Sequence, residues 1–206
     1  MGIINTTPDS FSGDGLGSED DPVQAAVELG KKLVADGAHL LDVGEESTRP
    51  GASPVTAELE LRRVTPVIEA LAGTVDVPIS VDTSKASVAQ DALDAGASIV
   101  NDVWGLKRDR RLATVVAAHE ATLILMHNRS SSDEARANER LGGHYVGSDY
   151  GALVADIRRE LKESVILALA AGIQNGKIIL DPGIGFGKTV KQNRRLLNEL
   201  DNLKEL

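Results

Sequence analysis

Three residues with acceptor side chains, Asp82, Asn101 and Asp181, each stand where a short apolar run gives way to polar residues. Two carboxylates and an amide facing one pocket would suit a planar, nitrogen-rich heterocycle such as an aminopyrimidinone. A carboxylate accepts two hydrogen bonds side by side, so it matches a ring N–H next to an exocyclic NH₂. The simpler alternative is that each residue caps the helix after it. A cap normally lies a residue or two further on, and Thr83-Ser84 already offers one after Asp82. Nearby are groups suited to an anion. Arg49 follows Ser47-Thr48 and precedes Pro50-Gly51, and Asn5 ends the first apolar run. Together they suggest a site for an anionic group with a divalent metal, since magnesium takes few protein oxygens and completes its shell with phosphate. A surface ion pair is the plainer reading of Arg49 alone.

For these residues to converge, the runs before them must be strands of one sheet. Residues 2–4, 38–43, 77–81, 97–100, 121–126 and 177–180 read as six such strands, each delivering polar groups at its C-terminal end. Between them lie amphipathic helical patterns. The first starts at Asp21-Pro22, with Val23, Ala26, Val27, Gly30, Leu33 and Val34 on one face and Gly37 as its stop. Residues 57–71, 87–94, 110–119, 153–171 and 193–203 read as the others, and Gly37, Gly96 and Gly176 precede three of the strands. A β-α pattern repeated six times predicts a parallel sheet with right-handed crossovers. Such folds bind ligands at the C-terminal ends of their strands. The runs are nearly continuously apolar, as expected of strands covered on both faces. Two long polar loops, 6–20 and 128–150, read as lids or as disordered insertions.

Composition excludes several function classes. At 206 residues the chain is one large domain or a piece of a larger protein. A net charge of −9 argues against non-specific nucleic-acid binding. There is no cysteine, hence no disulfide and no thiolate metal site. No apolar run reaches the ~20 residues of a membrane span, and no signal peptide is visible, so a cytoplasmic location is expected. The turn 183–189 resembles a phosphate loop but has three residues between Gly183 and Gly187 where that motif needs four. The four histidines (His39, His119, His127, His144) lack paired ligand spacing. Of these only His127, at a strand end, is placed to touch a ligand.

Several segments together resemble dihydropteroate synthase of the folate pathway, the target of sulfonamides. They are Asn5-Thr6-Thr7-Pro8-Asp9-Ser10-Phe11-Ser12, Glu46-Ser47-Thr48-Arg49-Pro50-Gly51, Asp82-Thr83, Asn101-Asp102, Met126-His127, and the run from Asp181-Pro182-Gly183 through Ile184-Gly185-Phe186 to Gly187-Lys188. They fall in the family's order and span essentially the whole chain. The resemblance implies a (β/α)₈ TIM barrel and the condensation of 6-hydroxymethyl-7,8-dihydropterin diphosphate with p-aminobenzoate. It implies Asp82, Asn101 and Asp181 as pterin readers, with Val103 and Met126 as pocket walls. It implies Asn5 as the ligand of Mg²⁺, Thr48 and Arg49 near the diphosphate and p-aminobenzoate, and Phe186 packed on the p-aminobenzoate ring. A homodimer is compatible with the full-length enzyme.

Two departures stand out. Thr6 and Glu45 occupy positions where the family more often has Val and Gly. The family also continues with a Ser-Arg-Lys strand and an Arg-x-His strand, and neither motif is present. The expectation is one pterin-binding barrel domain over residues 1–206 with about six of eight βα units. A parallel barrel closes only when its last strand pairs with its first, so strands one and six are expected to be open edges. Two other readings stay open: a pterin-binding methyltransferase domain of the corrinoid-dependent type, and a non-catalytic pterin-binding module. The Pro-Asp-Ser-Phe-Ser and Ser-Thr-Arg-Pro-Gly loops argue against the first; turnover would exclude the second.

Overall fold

The computed structural model describes residues 1–6, 21–45, 55–129 and 149–204. Six strands alternate with six helices: β1 (Gly2–Asn5), α1 (Pro22–Ala35), β2 (Leu41–Gly44), α2 (Ala57–Ala72), β3 (Ile79–Asp82), α3 (Ala86–Asp94), β4 (Ile99–Asp102), α4 (Arg111–Ala118), β5 (Thr122–Met126), α5 (Leu153–Ala170), β6 (Ile178–Asp181) and α6 (Val190–Asn198). All strand pairs are parallel, in the order β1-β2-β3-β4-β5-β6. A doubly wound sheet reverses its order part-way. Here every crossover steps to the next position in the same direction, which is how a βα barrel is wound. Among the described residues β1 and β6 are the sheet's edges. No helix among them is long and apolar enough to cross a membrane.

The two faces of the sheet differ. Ile4, Leu41, Val43, Ile79, Val81, Val100, Leu123 and Leu125 share one parity and are buried in the main core with Val64, Ile68, Leu71, Val88, Leu112 and Val116 of the helices. Side chains of opposite parity point to the other side. There stand Ile3 (60% exposed), Asp42, Ser80, Ile99, Thr122 and Ile179 (48% exposed). The expected near-continuous apolar character holds in β5 from Leu123 to Met126, whereas in β2 and β3 the concave side carries polar residues, Asp42 and Ser80, below its rim.

Local signals set most helix ends. Asp21 caps α1 by accepting from Gln24 N at 3.0 Å, with Pro22 at the first helical position, where a missing N–H costs nothing. Thr56 caps α2, and Thr189 with Gln192 forms a reciprocal capping box on α6. Two expectations need correction. Neither Thr83 nor Ser84 caps α3: its N-cap is Lys85, and Asp109 of a neighbouring loop accepts from Ala86 N at 3.2 Å. The helix expected over 193–203 begins at Val190 and ends at Asn198, with a 3₁₀ turn at Leu200–Leu203.

Candidate functional site

The ladder places Asn5 opposite Gly44, Gly44 opposite Asp82, and Asp82 opposite Asn101. Adjacent strands lie ~4.8 Å apart, so the amide of Asn101 and the carboxylate of Asp82 are immediate neighbours. Gly44 leaves the space beside Asp82 open: a Cβ there would come within 3.1 Å of the Asp82 Cβ. Further round, Asn101 pairs with Ile124 and Ile124 with Ile179, while Met126 pairs with Asp181. By the two-residue period Asn5, Asp82, Asn101, Met126 and Asp181 all project from the concave face at its C-terminal end. Met126 and Val103 are buried apolar neighbours of this rim.

Beneath the rim lies a residue that sequence reasoning missed. Asp42 is 6% exposed and shares the concave parity. Its Oδ1 accepts from Ser80 Oγ, and its Oδ2 accepts from Asn101 Nδ2 at 3.2 Å. Burial pushes its carboxyl pKa up, against the two hydrogen bonds. The bond from Nδ2 fixes the plane of the Asn101 amide and leaves Oδ1 as the acceptor on the opposite branch. A charged residue between Leu41 and Val43, in phase with Gly44, was the signal that could have revealed it.

The β6–α6 loop wraps tightly around the end of β5. Asp181 Oδ1 accepts from Gly183 N at 2.7 Å, and Asp181 O accepts from His127 N at 2.8 Å. Gly183 has φ +69°, and a Cβ there would fall 2.0 Å from His127 O, so only glycine fits. Lys188 is 4% exposed. Its ammonium donates to the carbonyls of Gly183 (2.7 Å), Phe186 (3.0 Å) and His127 (3.4 Å). Burial brings its pKa down to about 8, opposed by the charges of Asp181 and Glu160. Phe186, half-buried, rides on this loop with its N–H on Gly183 O at 3.2 Å.

Behind the rim, on the helix side, Glu160 of α5 gathers several groups. His127 Nε2 lies 3.1 Å from Glu160 Oε2, Arg129 Nε donates to Oε1 at 3.0 Å, and Lys107 Nζ is 3.8 Å away. Burial and then the Lys188 charge hold His127 down at about 4, so at neutral pH its Nε2–H donates to Glu160 as a neutral ring. Burial opposes ionisation of Glu160, yet Arg129, His127 and Lys107 bring it down to about 2. The Arg129 guanidinium also donates to Asp149 O (2.6 Å) and lies 4.2 Å from the Tyr150 ring centroid. Thus His127, expected as a ligand contact, faces α5 rather than the concave side. His119 is structural, bonded to Val115 O and Asp94, and His39 is exposed just ahead of β2.

The other expected groups divide. Asn5 sits on the rim, and Thr6 Oγ1 anchors the chain just beyond it by donating to Gly44 O at 3.2 Å. Thr48, Arg49, His144 and most of both long loops lie outside the described residues. Glu45, where the family more often has Gly, is buried and paired with Arg63. No group of three or more His, Cys, Asp or Glu residues that could cage a metal occurs among the described residues. A single amide oxygen at Asn5 fits an ion held mainly by a phosphorylated ligand and water.

Comparison with known proteins gives a consistent result. The sequence model of the family described as pterin binding enzyme matches residues 1–206. The dihydropteroate synthase of Clostridium beijerinckii is 43% identical over all of this chain and 70% of its own length. That of Bacillus subtilis is 46% identical over 98% of this chain and 64% of its own. The crystal structure of dihydropteroate synthase from Clostridium difficile, in the presence of pteroic acid, superposes with a TM-score of 0.86 at 42% identity, covering all of this chain and 71% of that one. The Xanthomonas albilineans enzyme with 4-aminobenzoic acid gives 0.85 at 42%, covering all of this chain and 68% of that one. The chain therefore spans between 64% and 71% of the length of these relatives.

Proposed function

The chain belongs to the pterin-binding enzyme family as a dihydropteroate synthase, a transferase of folate biosynthesis, and we propose how its residues divide that reaction. The reaction joins 6-hydroxymethyl-7,8-dihydropterin diphosphate to p-aminobenzoate. The observation that carries the assignment is the concave rim, where Asp82, Asn101 and Asp181 project from one face of the sheet. Asp82 and Asp181 accept from the ring N–H and NH₂ groups of the pterin. Asn101, oriented by Asp42, supplies Oδ1 as a further acceptor. Met126 and Val103 wall the ring.

In the chemical step the bond between the exocyclic methylene carbon and the diphosphate oxygen breaks, and its electron pair leaves with diphosphate. Positive charge spreads from that carbon into the dihydropterin, where the fixed carboxylates stabilise it. The neutral aromatic amine attacks the carbon, a C–N bond forms, and the amine then loses a proton. Thr48 and Arg49 serve the diphosphate and p-aminobenzoate, and Phe186 packs on the p-aminobenzoate ring. Asn5 would hold Mg²⁺ together with the diphosphate, and when bound that ion neutralises charge on the leaving group. No protein nucleophile is required. We place residues 1–206 as one domain of a cytoplasmic enzyme; the acidic net charge is in keeping with that.

The test is diphosphate release by the full-length protein with both substrates and magnesium. Release that depends on p-aminobenzoate and yields dihydropteroate is expected. Binding of methyltetrahydrofolate without binding of the pterin diphosphate would overturn the reading and favour a methyltransferase domain.

A further inference from the structure

Lys188 is 4% exposed, and the reaction as described does not use it. Burying an ammonium is costly unless its donors are satisfied. Here they meet three backbone carbonyls, Gly183 O at 2.7 Å, Phe186 O at 3.0 Å and His127 O at 3.4 Å. The shortest of these bonds falls on Gly183, and Gly183 is also the residue that aims Asp181: its N–H donates to Asp181 Oδ1 at 2.7 Å. Gly183 is wedged in place. Its φ is +69°, and a Cβ on it would meet His127 O at 2.0 Å and Lys188 Nζ at 3.1 Å. Gly183 O takes a second bond, from Phe186 N at 3.2 Å, but that one closes within the loop. The ammonium instead bridges Gly183 to His127, just past β5. The backbone of Asp181 is held by the ladder, through Met126 and through His127 N on its carbonyl; its carboxylate is held by Gly183 N. Charge links the two side chains as well: burial works against the ammonium, and Asp181 is foremost among the charges that sustain it, ahead of Glu160.

We propose that Lys188 is a positioning residue for the pterin: its ammonium clamps Gly183 against the end of β5, and Gly183 N in turn aims the Asp181 carboxylate at the ring. The proposal rests on the functional reading above, which makes Asp181 a pterin reader. An acceptor fixed beforehand binds more tightly than a mobile one, because the ligand does not have to supply its ordering. Lys188 therefore acts on pterin binding through Asp181 and not beside it. That dependence of one residue on the other separates positioning from general destabilisation.

The experiment is a double-mutant cycle on the full-length protein. Lys188→Met, of similar length, removes the ammonium. Asp181→Asn removes the charge of the reader and leaves one side-chain oxygen for Gly183 N. Isothermal titration measures the affinity for a pterin in the parent, both single variants and the double variant. A pterin alone is titrated, because the same ammonium also bonds Phe186 O. The expected result is a loss of about tenfold for Lys188→Met in the parent, the effect of one well-made hydrogen bond, and of less than about threefold in the Asp181→Asn protein. A general loosening of the loop would cost the same in both. Amide exchange is the second readout, and the Gly183 N–H exchanges faster in Lys188→Met. If that variant does not fold, Lys188→Gln, which keeps two N–H donors without the charge, takes its place in the cycle. Equal losses in both backgrounds, unchanged pterin affinity, or unchanged exchange at Gly183 would overturn the proposal. A parent protein that binds no pterin would sink the functional reading instead, and exchange at Gly183 would still decide whether Lys188 holds that residue.

Discussion

Replacing Asp181 by Asn separates the two jobs of that side chain. Oδ1 accepts from Gly183 N at 2.7 Å and so shapes the first turn of the β6–α6 loop. An Asn side chain keeps one carbonyl oxygen for that bond, so the loop can retain its course. What is lost is the negative charge and the second acceptor, whose place is taken by an NH₂ facing pterin donors. Hydrogen bonds to a charged group contribute roughly 1.5–3 kcal/mol, and an unsatisfied buried donor adds a penalty of its own. A loss of about 2–4 kcal/mol follows, or roughly 30- to 1,000-fold in pterin affinity. Isothermal titration of the full-length protein with a pterin ligand measures it, and a thermal melt checks that the fold is intact. An Asp181→Asn protein that melts like the parent and binds pterin within threefold of it would refute Asp181 as a ring reader. Asp181→Ala is the less informative variant, because it also takes the acceptor from Gly183 N.

Asp42→Ala leaves Ser80 Oγ and Asn101 Nδ2 without their shared acceptor; pterin affinity should fall about tenfold as the Asn101 amide loses its orientation, measured by the same titration. Gly183→Ala and Gly185→Ala form a matched pair, since both glycines have positive φ, +69° and +87°, but only at Gly183 does a Cβ strike backbone, His127 O at 2.0 Å. Gly185→Ala should cost about 1–2 kcal/mol from backbone strain alone, and Gly183→Ala distinctly more, read from denaturant unfolding. The pH dependence of stability has a set sign. His127 is held at about 4 in the fold, below its ordinary 6.5. The unfolded chain therefore binds more protons between these values, and stability is full above pH 6.5 and declines as pH falls towards 4. Glu160, at about 2 instead of 4.5, extends the decline below pH 4.5. Melting of His127→Gln against the parent from pH 7 to 4 should show a flatter curve for the variant.

The parts of the fold that were legible in the sequence are those decided locally. Runs such as Val100 and Leu123–Leu125 declare themselves because the helix-facing side of each strand is apolar. The ends of those runs place Asp82, Asn101 and Asp181 on a common rim, since strand parity and parallel order follow from the repeated β-α pattern. The illegible parts share one physical cause, contact between groups far apart in the chain. Asp109 caps α3 from another loop, 23 residues beyond Ala86. Glu160 reaches His127 from α5 across 33 residues. Lys188 bonds the His127 carbonyl 61 residues away, and a carbonyl carries no side-chain signature at all. The candidate ligand groups were therefore readable from their own positions, whereas the groups that hold them in place act through backbone atoms and remote partners. Catalysis depends on both, because a donor or acceptor contributes to the transition state only when its geometry is fixed beforehand. On this barrel rim the bond from Asn101 to Asp42 is one such fixing contact, since it orients the amide that the proposed reading gives to the pterin.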